Sequence, residues 1–79
     1  MSDEKQTLWI VLRDGKVIPG IVATTHRDAL QQLGRWLTPY DIAFSGSVLY
    51  DIGREATSDG NPFTCESIVV KIGDTSSNP

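Results

Sequence analysis

An Asp14-Gly15 pair set between two apolar runs constrains this chain more than any other feature. A two-residue type I′ turn needs positive φ at both central positions, and Asp-Gly meets that need readily. Residues 7–13 are rich in β-formers and end at the turn, and residues 16–24 form the expected return strand. A tight turn fixes register, so Arg13 is expected opposite Lys16, Leu12 opposite Val17, Val11 opposite Ile18, Ile10 opposite Pro19 and Trp9 opposite Gly20. Pro19 has no N–H to give to a ladder, which marks the second strand as a sheet edge or as bulged at Pro19-Gly20. Simple alternation places Leu8, Ile10, Leu12, Val17, Ile21 and Ala23 on one face and Trp9, Val11, Ile18 and Val22 on the other. Both faces of this hairpin are therefore apolar.

Thr25 is a suitable N-cap for a helix, with Asp28 favourably placed in its first turn. Ala29, Leu30, Leu33, Trp36 and Leu37 recur at spacings of three and four, which gives a single apolar stripe. Gly34 interrupts the stripe and is expected to let the helix approach the sheet closely. Pro39 ends the helix, and residues 38–41 suit a short further helical turn with Pro39 at its first position. Residues 44–52 read as a third strand because Val48, Tyr50 and Ile52 alternate with Ser47, Leu49 and Asp51. Residues 53–63 read as a long polar loop, and residues 64–72 as a fourth strand. The expected fold class is α+β, in the order ββαββ: a four-stranded, mostly antiparallel sheet with one helix packed on one face. Residues 7–73 form one domain, flanked by flexible tails at 1–6 and 74–79.

One helix covers one face of a sheet. The other face is then expected to carry Trp9, Val11, Ile18 and Val22 as an uncovered apolar patch, the kind of surface that binds a partner. Arg54, Asp59 and Asn61 in the long loop are further candidate partner-binding residues. Trp36 is expected to close the edge of the core.

Other functional classes find less support. Seven basic and ten acidic residues leave a net charge of −3, with both signs scattered along the chain. Nucleic-acid binding relies on clustered Lys and Arg, and Arg13 with Lys16 is a thin footprint. His26 and Cys65 are the only histidine and cysteine, so neither a disulfide nor a metal cluster is expected. A catalytic base also needs an orienting partner, which His26 lacks in sequence. No catalytic, cofactor-binding or metal residue is assigned, and no cofactor is expected. The polar N-terminus does not resemble a signal peptide, no apolar run reaches the ~20 residues of a membrane span, and a lone thiol suits a reducing cytoplasm.

The first forty residues resemble the strand–Asp-Gly–strand–helix unit of small antitoxin-type domains, whose helix opens as Thr25-His26-Arg27-Asp28-Ala29-Leu30 does. In size, acidity and lack of motifs the chain also resembles small inhibitors from phages and mobile elements, anti-CRISPR proteins among them. That resemblance implies stoichiometric inhibition of a host protein complex by steric occlusion. The expected function is a small, non-enzymatic protein-binding module; the alternative is a homodimeric accessory or antitoxin-like subunit.

Overall fold

A computed structural model describes residues 5–39 and 43–71. The hairpin forms as its turn chemistry demands: Asp14 and Gly15 sit at φ 53° and 81°, both in the positive region of a type I′ turn. Strand β1 spans Lys5–Arg13 and β2 spans Lys16–Ala23. Next to the turn, Arg13 pairs with Lys16 and Leu12 with Val17, as expected.

The ladder then slips. Ile10 pairs with Val22 and Trp9 with Ala23, not with Pro19 and Gly20. From the Leu12–Val17 pair to the Ile10–Val22 pair, β1 advances two residues and β2 advances five. The three extra residues on β2 form a bulge around Pro19 and Gly20, and Gly20 adopts φ 91°, which suits glycine. An odd insertion reverses which residues face which way. Ile18, Ile21 and Ala23 therefore point to one side of the sheet, and Val17 and Val22 to the other.

Helix α1, His26–Leu37, starts where the sequence places it. The Thr25 side chain accepts a hydrogen bond from the Asp28 N–H at 3.1 Å, satisfying one orphan donor of the first turn. Ala29, Leu30, Leu33 and Gly34 are buried. The Gln32 side chain donates to the Val22 carbonyl at 3.0 Å, which ties the helix to β2.

The expected third strand at residues 44–52 does not form. That stretch belongs to helix α2, Gly46–Ala56, whose N-cap Ser45 accepts from the Val48 N–H. β-Branched and aromatic residues at alternate positions mimicked a strand, but the buried positions, Leu49 and Gly53, are four apart, which is a helical spacing. The expected eleven-residue loop shrinks to residues 57–62, between α2 and strand β3, Phe63–Lys71. The turn expected over residues 38–41 and the expected tails lie largely outside the described residues, although Lys5 and Gln6 already belong to β1.

The described fold is thus ββααβ: a three-stranded antiparallel sheet in the order β2-β1-β3 and two helices. Helix α1 packs on all three strands, and α2 packs chiefly on α1. Val11, Ile18, Ile21, Ala23, Ala29 and Leu33 make the core between the sheet and α1. Leu30 and Leu49 are buried as well, and each meets a glycine of the other helix: Leu49 lies against Gly34, and Leu30 against Gly53. Gly34 thus serves the approach of α2, not that of the sheet. A Cβ at either glycine would collide with the carbonyl of the facing leucine.

This geometry reverses the usual effect of Gly→Ala within a helix. Alanine ordinarily gains about 1 kcal/mol of helix propensity. At Gly34 or Gly53 the added methyl meets main chain, and overpacking costs about 1–3 kcal/mol or more. In a domain stabilised by only about 3–5 kcal/mol, Gly34→Ala and Gly53→Ala should each lower the urea midpoint clearly, and the double variant should be largely unfolded by circular dichroism.

Candidate functional site

The side of the sheet turned away from the helices is apolar across all three strands. β1 contributes Leu8, Ile10 and Leu12. Their cross-strand partners, which share the face, are Val17 and Val22 on β2 and Ile68, Glu66 and Thr64 on β3. Val70 extends the face opposite Gln6. Leu8, Ile10, Leu12 and Val70 are half-buried. Val17, Val22 and Ile68 stand open, with 56%, 51% and 40% of their surfaces exposed. Seven aliphatic side chains share this surface with a single charge, Glu66. Soluble sheets with one wet face normally alternate apolar and polar residues, so this composition is a departure from the ordinary pattern.

The expected patch was on the opposite side. Val11 and Ile18 are buried under α1, and Trp9 packs half-buried against the same core. Trp9 also meets His26 edge-to-face, with 4.9 Å between ring centroids. Of the four hairpin residues assigned to the patch, only Val22 lies on the open face, and the bulge put it there. Counting apolar faces found the right number of them, and alternation sorted β1 correctly, but α1 covers the face that was expected to be open. Trp36 remains 42% exposed and touches Phe63 edge-on at 6.0 Å, so it borders the core without being enclosed by it.

Arg54 lies in the last turn of α2, and Asp59 in the following turn; both are exposed. Asn61 is exposed too, but its side-chain N–H groups are engaged within the fold. They donate to the Glu55 carbonyl and to Ser58 Oγ, both at 3.0 Å. Ser58 Oγ donates to the same Glu55 carbonyl at 2.8 Å, and Thr57 Oγ1 donates to the Arg54 carbonyl. These bonds satisfy carbonyls that the end of α2 leaves open. Sequence reasoning gave these residues to a recognition loop because it did not see the helix they cap.

A shallow groove of about 550 Å³ runs beside α2, lined by Leu37, Val48, Asp51, Ile52, Ala56 and Asn61. Among the described residues no cluster of three or more His, Cys, Asp or Glu is placed to hold a metal ion. No helix among them is long and apolar enough to cross a membrane. Arg27 lies over the Tyr50 ring at 4.6 Å, a cation–π contact that links the two helices. Arg13 lies over Phe63 at 5.7 Å. Both arginines thus have aromatic partners within the fold.

Comparison with protein-family models, curated proteins and solved structures found no match for this chain.

Cys65 faces the helices beside Val11 on the neighbouring strand. Burial, and secondarily the negative charge of Glu66, push its thiol pKa up. The thiolate is the nucleophile, so a raised pKa lowers the reactive fraction at any given pH. At pH 8 Cys65 should therefore react with iodoacetamide more slowly than a free cysteine in a model peptide, and the two rates should converge when the protein is denatured in urea.

Proposed function

We propose that this chain is a non-enzymatic protein-binding module that docks through the open face of its sheet, acting by occupying a partner's surface. The observation that carries this reading is the run of seven aliphatic side chains on that face with only Glu66 among them. Leaving such a surface in water is unfavourable by about 25 cal/mol per Å² of apolar area. Three strands spaced about 4.8 Å apart and rising about 3.3 Å per residue make a face of roughly 14 by 30 Å, or about 400 Å². Covering it is worth on the order of 10 kcal/mol gross, which is similar to the ~4–15 kcal/mol cost of association. The fit of the partner and the contacts at the rim then decide the affinity. Occlusion of a host complex, as in the small inhibitors that the chain resembles in size and charge, is one use to which such a surface lends itself.

Val22→Asp tests the face without touching the core, since the side chain already stands half in water. A photo-crosslinking residue at position 17 or 68 should capture a partner in cells of the source, and one at Asp59 should not. Binding of the purified partner should then fall at least ~tenfold, about 1.4 kcal/mol, in Val22→Asp while the melting temperature holds. Capture that concentrates at Asp59, or binding indifferent to Val22→Asp, would overturn the reading.

A further inference from the structure

We infer that β3 pairs with β3 of a second copy of this chain, joining two sheets edge to edge in one six-stranded antiparallel sheet. The inference extends the docking reading above, because it enlarges the same face.

The two edges of the sheet differ. On the β2 side Pro19 has no N–H, the bulge at Gly20 disrupts the edge, and the Val22 carbonyl already accepts from Gln32. Such features close an edge to further pairing. The β3 edge has none of them. Residues 63–71 contain no proline and no glycine, and they pair with β1 in unbroken register over all nine positions. Every second N–H and C=O along β3 is therefore aimed away from the sheet, where it presents an open template for another strand. Among the described residues, Val69 on this strand is the most exposed large hydrophobic one, at 64%.

The occupant follows from the side chains that self-pairing brings together. Ser67 is the midpoint of Phe63–Lys71, so a two-fold axis through Ser67 pairs the whole strand with its copy. Like faces then meet on the same side of the joined sheet. Cys65 opposes Val69 of the second copy, Thr64 opposes Val70, Glu66 opposes Ile68, and Phe63 opposes Lys71. No like charges stand directly opposite. The two Glu66 side chains lie on a diagonal, at about 7–8 Å. Moving the axis to Glu66 would set two carboxylates face to face and shorten the ladder. Edge pairing also brings the two open faces side by side. Each covers about 400 Å²; together they approach the ~800 Å² per partner that a standard interface buries.

Two variants and one cross-link test this pairing in the full chain. Val69→Lys changes an exposed side chain on the helix side of β3, away from the docking face. It should raise the dimer dissociation constant at least ~tenfold by sedimentation equilibrium, while the circular dichroism spectrum of the folded chain stays unchanged. Ser67→Cys in a Cys65→Ser background places two thiols across the axis, where opposed Cα atoms are about 4.5–5.5 Å apart, within disulfide reach. Mild oxidation should convert that variant almost entirely to a covalent dimer that melts as a folded protein. Glu66→Gln should tighten the dimer. A protein that stays monomeric at ~1 mM, a dimer that survives Val69→Lys, or Ser67→Cys that fails to cross-link would each reject the inference. Val22→Asp separates it from the docking proposal. With dimerisation intact and partner binding unaffected, the docking face is rejected and edge pairing stands; a dimer lost in Val22→Asp but kept in Val69→Lys places the self-contact on the face and rejects edge pairing.

Discussion

The close crossing of two helices, each glycine lying against the other's leucine main chain, underlies the rest of this structure. Leu30-x-x-x-Gly34 on α1 meets Leu49-x-x-x-Gly53 on α2 in reciprocal fashion. That crossing gives α2 its place. Without it, residues 46–56 would need another surface for Leu49 and Ile52, and the bare side of the sheet would be the nearest. Because α2 docks on α1, both helices lie on one side, and the other side of the sheet is left uncovered. The arrangement of helix on helix on sheet is thus directly coupled to the availability of the open face.

The bulge at Pro19-Gly20 has the second largest effect. It turns an edge strand that would alternate evenly into one with two phases. Ile18 and Ile21, three apart, both reach the core, and Val17 and Val22, five apart, both reach the open side. The same irregularity closes that edge of the sheet. A single local feature accordingly chooses which residues of β2 are core and which are surface.

Much of the fold was legible in the residues, and the failures have physical causes. Asp14-Gly15 specified its turn, Thr25 its cap, and residues 64–71 their strand, because each depends on local chemistry. Proline and Gly20 announced a bulge or an edge, and both occur, but the number of inserted residues depends on how β2 packs on α1 and was not readable. Helix α2 was taken for a strand because Val48, Tyr50 and Ile52 alternate. The contrary signals were present: Ser45 three residues before Val48 as a cap, and a second Leu-x-x-x-Gly matching the first. They carry meaning only when the two segments are considered together, since either glycine alone looks like a weak point in a helix. The candidate site shared this fate. The excess of apolar surface was visible from the hairpin by itself, whereas its location depended on which face α1 covers: Trp9, Val11 and Ile18 lie on the helix side and Leu8, Ile10 and Leu12 on the open side, and the phase change carried only Ile21, Val22 and Ala23 across.

Lys5 and Lys71 are cross-strand neighbours at one end of the β1–β3 ladder. The first and last of the described residues therefore lie side by side. A short linker could close that gap, and the polypeptide could instead be opened at the exposed turn around Asp59 with every strand pairing and the helix crossing preserved. Adjacent ends at an exposed position are the condition under which a domain tolerates circular permutation or insertion into a loop of another protein. The helices and the open face would then be carried into the host as a single unit, with their orientation set by the two strands that flank the joint.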